Sequence, residues 1–164
     1  MMNKEYNPPT EEDLIKLLEN IFPFINRMGL KILHLQDGNI RVLLPLRGNE
    51  NHIGTMYAGA LFSLAEFVIG PIYYAFFDTS RFYPLVKEMC ISYCRPAKTD
   101  VSVELQVAEG EMQHIAEEAR RNKKCDFTLT TDIKDSFGRV VATTIGKYQM
   151  RYTYHDAAIL TGDV

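Results

Sequence analysis

The longest apolar stretch of the chain runs from Met56 to Phe77 and contains a single side chain that is charged near neutral pH, Glu66. An apolar stretch of this length is either a membrane span or a helix buried on all sides in a soluble core. A carboxylate near the middle of a bilayer is costly, no cluster of Lys or Arg flanks the stretch, and Gly70-Pro71 interrupts it. We therefore predict a soluble protein with a long, buried central helix, and the rest of the chain should supply a sheet around it.

A second helical pattern occupies residues 10–28. Thr10 is a suitable N-cap, and the acidic residues that follow it suit the positive end of a helix. Apolar residues recur at helical spacing from Leu14 to Phe22, and Pro23 is expected to kink or end the helix. The pattern predicts an amphipathic helix that covers part of the core, with a membrane anchor as the less favoured alternative.

Alternation of apolar and polar residues predicts strands in the remaining chain. The predicted strands cover residues 30–36, 40–46, 84–97, 101–107, 125–132 and 140–152. Asp37-Gly38 is a hairpin signal between the first two strands, and residues 135–138 form the turn before the last one. In the third strand, strict alternation places Leu85 and Met89 on the same face. Residues 109–122 have the composition of a short helix or of a charged excursion between strands.

Hairpins and meanders of this kind imply a mainly antiparallel sheet with one face curled around the central helix. We therefore predict an α+β roll with an extra N-terminal helix. No repeat, linker or low-complexity tract indicates a second domain, so residues 1–164 are predicted to form one domain. Its core spans about residues 30–152, with the N-terminal helix at 10–28 and a tail at 153–164.

The composition is that of an ordinary globular protein, with 46% hydrophobic and 24% charged residues. A net charge of −3 gives no reason to expect nucleic acid or an anionic membrane as a partner. Three cysteines lack the spacing of a disulfide scaffold, and the N-terminus lacks the apolar core of a signal peptide, so a cytoplasmic location is predicted. Cys90 and Cys94 lie about 13 Å apart on one strand, too far to share a metal. We expect both to pack in the core, and no metal site is predicted.

Glu66 is the first candidate for chemistry. Burial raises the pKa of a carboxyl group towards values that suit a general base or acid near neutral pH. The alternative is a structural carboxylate bonded to Ser63 or to a neighbouring strand. The start of the same helix is complementary, because the small residues Ala58, Gly59 and Ala60 leave its first N–H groups open to a developing oxyanion.

These two groups lie too far apart to act on one carbonyl within a single chain. Ala58 and Glu66 are eight residues apart, which corresponds to about 12 Å along a helix. In a two-fold dimer with antiparallel central helices, the helix start of one subunit can face Glu66 of the other. The spacing therefore predicts a composite site at a homodimer interface, and further assembly into a tetramer is left open.

The segment from Asn51 to Glu66 resembles the signature of hotdog-fold acyl-CoA thioesterases of the phenylacetate-pathway type. That signature has an Asn, a Gly-Thr-like pair, His-Gly-Gly opening a helix, and an Asp or Glu inside the helix. Arg95-Pro96-Ala97 and the Asp135-x-x-Gly138 turn are also similar, and the resemblance covers about residues 30–152. It implies a hotdog fold, in which an antiparallel sheet wraps around a long central helix.

The resemblance also implies roles for residues. Glu66 would align or activate the attacking water, or attack the thioester itself. The N–H of Ala58 or Gly59 would polarise the carbonyl, and Asn51 would position water or carbonyl, although a turn role is its ordinary alternative. The sequence departs from the family at Tyr57, where the signature has His, and at Ala58, where it has Gly. Tyr57 either donates a hydrogen bond to the carbonyl or only packs.

Further residues of the segment are candidates for substrate binding. They are His52, Gly54, Thr55, Phe62 and Ser63. His52 could serve as a base, but a histidine in a loop is more often a surface or capping residue. Thr55 is better explained as a cap of the central helix than as a catalytic group.

The predicted function is hydrolysis of an acyl-CoA or acyl-carrier thioester. Coenzyme A enters only as part of the substrate, and no other cofactor is expected. One alternative is an acyl-CoA-binding dimer without turnover, for which Tyr57 is the reason. Another is a hotdog dehydratase or hydratase, because His52 and Glu66 have the fourteen-residue separation of that class although its Pro-Gly pair is missing.

Overall fold

The computed structural model describes residues 10–153, in which six strands form one sheet and five helices pack against or beside it. The helices are α1 (Glu11–Ile21), α2 (Pro23–Arg27), α3 (Ala58–Phe67), α4 (Ile69–Phe76) and α5 (Glu109–Asn122). The strands are β1 (Lys31–Gln36), β2 (Asn39–Leu44), β3 (Phe82–Tyr93), β4 (Val101–Gln106), β5 (Lys124–Asp135) and β6 (Val140–Tyr152). The predicted tail beyond residue 153 lies outside the described residues.

The sheet order is β1-β2-β4-β5-β6-β3, and every neighbouring pair is antiparallel. The α+β class and the antiparallel sheet are thus confirmed, and residues 109–122 form the helix rather than the loop alternative. The strands β1 and β3 are the two edges of the sheet. The twelve residues of β3 make it the longer edge, and one side of its backbone is free to pair with another strand.

The central apolar stretch packs on the sheet as two consecutive helical segments. It begins at Ala58 and is interrupted at Val68, where α3 passes into α4. Pro71 explains the interruption, because its ring lacks an N–H and clashes with the carbonyl one turn earlier. Residues Ala58–Phe76 are long and apolar enough to cross a membrane, but 56% of the most apolar window is buried in the fold. This packing is that of a core helix in a soluble α+β domain.

One side of α3 remains uncovered, so the expectation of a helix buried on all sides is wrong. Leu61, Leu64 and Ala65 are buried against the sheet. The opposite side carries Gly59, Phe62, Ser63 and Glu66, which are exposed or half-buried. We call these four residues the open stripe. Their spacing of three and four positions places them on one helical face.

A β-bulge in β3 overturns the predicted alternation of that strand. The pairing of β3 with β6 shifts register between Val86 and Glu88, so the side chains change face at this point. Phe82 is buried before the bulge, whereas Met89 packs on the core after it and Leu85 is exposed. Leu85 and Met89 therefore do not share a face. Cys90 and Cys94 are exposed, so their predicted place in the core is also wrong.

The N-terminal segment is divided as the sequence predicts. The Asp13 N–H donates to the Thr10 hydroxyl at 3.3 Å, which caps α1. The first helix ends at Ile21, and Pro23 opens α2 at a position where its missing N–H costs nothing. Leu14 and Leu18 of α1 are buried in the core. This segment therefore covers the central helix near α4 and forms one wall of the cavity described below.

We predict that Gly38→Ala destabilises the fold, because Gly38 has a φ of +75° in the β1–β2 hairpin. A Cβ there would lie 2.3 Å from the Val107 carbonyl oxygen. Left-handed backbone strain alone should lower the free energy of unfolding by about 1–3 kcal/mol, and the clash adds to that loss. Gly110→Ala is the matched control, since its Cβ would meet nothing within 4 Å and α5 gains a better helix former. Urea unfolding measures both, and equal stability of the two variants would contradict the prediction.

Candidate functional site

The loop before α3 is organised by Asn51. Its side-chain oxygen accepts from the Ile53 N–H at 3.0 Å and from the Thr55 N–H at 3.1 Å, while its amide donates to the Thr55 hydroxyl at 2.8 Å. The Asn51 side chain therefore holds the loop together, as its turn alternative predicts. The predicted capping role of Thr55 is wrong, because Tyr57 is the N-cap of α3 and no side chain caps the helix.

The start of α3 keeps two N–H groups available. The Tyr57 carbonyl accepts from the N–H groups of Ala60 at 3.0 Å and Leu61 at 3.2 Å. The N–H groups of Ala58 and Gly59 precede the first intrahelical acceptors, and no protein acceptor is found for them within residues 10–153. These two N–H groups, together with the helix dipole, make this end of α3 a position that favours negative charge.

Asn49 fixes this helix start, and its role was missed in the sequence. Its buried side-chain amide donates to the backbone carbonyl oxygens of Met28 at 2.8 Å and Pro45 at 2.9 Å. Its backbone carbonyl accepts from the Tyr57 N–H at 2.8 Å. Asn49 thus ties the N-cap to α2 and to the end of β2. An asparagine next to Gly48 is typical of a turn, so the sequence carried no signal for these contacts.

Tyr57 lies over the helix start. Its side chain is 59% exposed, and a Cβ at Gly59 would be 2.6 Å from a carbon of the Tyr57 ring. Only glycine at position 59 therefore leaves room for the ring in this orientation. The ring lies beside the free N–H groups, where it can contact a bound carbonyl or limit access to it.

Glu66 lies on the open stripe, two turns further along α3. It is half-buried, and no hydrogen-bond or ion-pair partner for its carboxylate is found among residues 10–153. The Ser63 hydroxyl donates to the Gly59 carbonyl at 2.8 Å, so it does not hold Glu66 as the structural alternative required. Burial raises the pKa of Glu66 above its ordinary value of 4.5. An unpaired carboxylate with a raised pKa is suited to accept a proton near neutral pH.

Tyr148 on β6 is a second residue that sequence reasoning missed. It is 2% exposed, and its ring stacks on Phe127 with centroids 5.5 Å apart. A Cβ at Gly146 would lie 2.5 Å from a Tyr148 ring carbon, so glycine makes room for this ring. Burial and then the negative charge of Glu66 raise the pKa of Tyr148 to about 12, which places a neutral phenol near Glu66. The glycine inside a strand was the available signal.

A mainly apolar cavity of about 300 Å³ adjoins Glu66. Glu66 is the charged residue in its lining, and the other walls come from α1–α2, α4 and the start of β3. The wall residues include Phe22, Ile25, Phe67, Ile69, Tyr74 and Val86. A carboxylate at the mouth of an apolar cavity is the arrangement that a site needs to hold an apolar group next to a base.

A separate cavity of about 480 Å³ lies at the helix start. Tyr57, Gly59, Phe62 and Ser63 contribute to its lining, so these four candidate residues are brought together. His52 and Gly54 line neither cavity. His52 is exposed, and Gly54 has a φ of +77° in the turn. The structure thus places Glu66 at one cavity and four other candidates at the other, and it places His52 and Gly54 outside both.

Residues 10–153 contain no group of three or more His, Cys, Asp or Glu side chains placed to hold a metal ion. The groups at the open stripe that can take part in proton transfer or hydrogen bonding are Glu66, the free N–H groups and the neighbouring phenols. This set can move a proton and stabilise a developing negative charge.

The chain is similar to several solved structures. A Pseudomonas aeruginosa protein of unknown function, described as a probable thioesterase, is 40% identical, with a TM-score of 0.85 over 89% of this chain and 98% of that chain. A Chlorobaculum tepidum protein of unknown function has 18% identity and a TM-score of 0.75 over 87% and 94% of the two chains. A thioesterase from Haemophilus influenzae has 12% identity and a TM-score of 0.68 over 91% and 95%. The last two similarities show the fold alone.

A comparison with proteins of curated function finds no match. The model of the family described as domain of unknown function DUF4442 matches residues 11–149, which include every helix and all but the last residues of β6. This chain therefore belongs to the DUF4442 family.

Proposed function

We propose that this protein is a hotdog-fold thioesterase that hydrolyses an acyl-CoA or acyl-carrier thioester as a homodimer. The observation that carries the proposal is the half-buried Glu66 carboxylate, which has no partner among residues 10–153 and lies on the open stripe of an otherwise buried helix. A buried charge without a partner is costly, so a use outside the fold of one subunit explains why it is kept. The probable-thioesterase description of the 40% identical Pseudomonas protein supports the same reaction class.

The reaction follows from the two ends of the stripe. Glu66 accepts a proton from water while the water oxygen attacks the thioester carbonyl carbon. The carbonyl oxygen becomes an oxyanion and accepts hydrogen bonds from the N–H of Ala58 or Gly59. The tetrahedral intermediate then expels the thiolate, which takes up the proton held by Glu66, so the carboxylic acid is released and the Glu66 carboxylate is restored. The polar groups needed are all on α3.

The proposed dimer brings together two groups that lie too far apart within one chain. Ala58 and Glu66 are about 12 Å apart along α3, so one carbonyl cannot contact both in the same subunit. The long edge strand β3 has exposed apolar side chains, with Leu85 at 42%, Val86 at 44% and Tyr93 at 51% exposure. Pairing of two β3 edges would cover them and bring the open stripes face to face. A tetramer built from such dimers is compatible with the same contact. We also propose that the protein is cytoplasmic.

A specific observation favours a second function, an acyl-CoA-binding dimer without turnover. The Tyr57 ring lies against Gly59 at the helix start, where the related signature has a histidine. A ring in that position could keep the carbonyl away from the N–H groups and leave binding without hydrolysis. His52 is exposed in the loop, and no described contact couples it to Glu66, so the dehydratase alternative gains no support from the structure.

The purified protein should release free thiol from acyl-CoA substrates, and we expect this in a series of acyl chain lengths together with an aryl-acetyl substrate. Thiol release is measured with a chromogenic thiol reagent, and acyl-CoA binding is measured in parallel by calorimetry. Binding without thiol release would support the second function. Neither binding nor release with any substrate would contradict both functions.

A further inference from the structure

We infer that the cavity beside Glu66 binds the acyl group, that its size restricts the enzyme to short or single-ring acyl groups, and that Tyr74 sets this limit. The inference rests on the proposed function, because it assigns the substrate of the same site. The evidence is the lining of the cavity, its volume and the position of Tyr74 between two cavities.

The lining excludes the polar parts of the substrate. Glu66 is the charged residue among the described residues that line the cavity, and no Lys or Arg is present there. The phosphates of coenzyme A carry negative charge and would be repelled by Glu66 without any compensating cation. An uncharged apolar group is therefore the fitting occupant, with the thioester carbonyl at the Glu66 end.

The volume limits that occupant. A cavity of about 150 Å³ in another protein binds benzene, so a cavity of about 300 Å³ has room for one ring and a few further carbons. Phe22 closes one side by an edge-to-face contact with Phe67, with ring centroids 6.1 Å apart. A long straight acyl chain needs more than this volume, and Tyr74 stands where such a chain would have to pass to remain between α4 and its neighbours.

Tyr74 forms the end wall. It lines the Glu66 cavity and also a second cavity of about 560 Å³ beside the β1–β2 hairpin, whose lining combines Leu14, Leu35 and Val107 with the polar residues Gln36, Asp37 and Glu109. A residue that lines two cavities separates them where it stands. Removing its ring should connect the Glu66 cavity to the larger space and admit a longer chain.

Neighbouring contacts hold this wall in place. The Tyr74 ring packs edge-to-face on Tyr73, with ring centroids 5.0 Å apart. The Tyr73 hydroxyl donates to the carbonyl oxygens of Phe82 at 2.6 Å and Thr79 at 3.2 Å. Burial also raises the pKa of the Tyr74 phenol. The wall is therefore supported from β3 rather than free to swing aside.

The test compares wild type, Tyr74→Ala and Tyr83→Ala on acyl-CoAs from butyryl to palmitoyl and on an aryl-acetyl-CoA. Tyr83 lines the Glu66 cavity but not the second one, so its truncation enlarges the first cavity without connecting the two. We expect wild type to favour the short and aryl substrates. In Tyr74→Ala, kcat/KM for long chains should rise by about tenfold or more relative to short chains, and Tyr83→Ala should not show this shift. Thermal unfolding confirms that both variants are folded.

Binding of non-hydrolysable acyl-CoA thioethers separates this inference from the proposed function. One outcome is that no variant releases thiol, while wild type binds only short or aryl thioethers and Tyr74→Ala also binds long ones. The hydrolase proposal then fails and the inference about the cavity stands. If wild type hydrolyses thioesters and Tyr74→Ala keeps the wild-type length profile, the proposed function stands and the inference is overturned. A wild type that prefers palmitoyl substrates would also overturn it.

Discussion

Glu66→Gln should lower kcat for thioester hydrolysis by about 10²–10⁴-fold, the range that a positioned general base contributes. The amide has the shape of the carboxylate but cannot accept the proton from water. Because Glu66 has no hydrogen bond or ion pair within residues 10–153, the substitution removes no stabilising contact. The variant should therefore fold and bind substrate, and the loss should appear in kcat rather than in KM.

The raised pKa of Glu66 gives two pH dependences with defined signs. Activity requires the ionised Glu66 carboxylate, so the hydrolysis rate should fall as pH decreases through the pKa of Glu66. That pKa lies above the ordinary value of 4.5. The effect of Glu66 on the stability of the fold changes with pH in the opposite direction. The folded state binds the Glu66 proton more tightly than the unfolded state, so this contribution is present at low pH and is lost as pH rises through the folded pKa. The Glu66→Gln variant has no titrating group at this position and does not lose stability in this way. Its free energy of unfolding relative to wild type should therefore increase from acid to neutral pH.

Glu117→Gln is the matched control for these measurements, because Glu117 is an exposed residue of α5 away from the open stripe. It should leave the rate and its pH profile unchanged. A Glu66→Gln enzyme as fast as wild type would exclude Glu66 as the base. A variant that loses activity together with its cooperative unfolding transition would show that Glu66 supports the fold instead.

Local signals predicted much of the fold. Thr10 caps α1, Pro23 divides the N-terminal helices, and Asp37-Gly38 makes the hairpin, with φ values of 51° and 75°. These features depend on residues that are neighbours in sequence, and their physical causes are visible there. The bulge between Val86 and Glu88 could not be predicted in this way, because it depends on how β3 pairs with β6.

The positions of the candidate residues were predictable for the same reason, although their roles stay predictions. Glu66 and the small residues of the helix start stand in one continuous segment, so their spacing could be read directly. Asn49 reaches Met28 and Pro45, and Tyr148 approaches Glu66 only because β6 lies beside β3 and β5. The open stripe was also unpredictable, since the sequence shows that a helix is apolar but not which side the sheet leaves uncovered.

Ala58→Pro should disable the other half of the site without breaking the helix. Ala58 is the first residue of α3, where proline is favoured, and the extended Tyr57 backbone, with φ −65° and ψ 137°, suits a residue before proline. The substitution removes one free N–H, and loss of an oxyanion donor costs about 10²–10³-fold in kcat. Full activity in Ala58→Pro would exclude this donor and leave the Gly59 N–H as the candidate.

Mixing the two inactive variants should restore activity if each site is shared between subunits. A heterodimer of Ala58→Pro and Glu66→Gln chains contains one site with an intact helix start and an intact Glu66, and one site that lacks both. Heterodimers purified through two different affinity tags should therefore have about half the wild-type activity per dimer, since a two-fold dimer has two equivalent sites. No recovery in these heterodimers would show that both groups serve the same subunit.

A second heterodimer separates a shared site from a site within one subunit, and its result does not depend on how well the variants fold. Here one subunit is wild type and the other carries both substitutions, so the same four groups are present in a different arrangement. A shared site predicts almost no activity, because each site then contains one defective half. A site within one subunit predicts about half the wild-type activity, from the intact chain alone. Opposite results for the two arrangements of the same substitutions would assign Glu66 and the helix start to different subunits, because defects in folding or expression would lower both heterodimers alike.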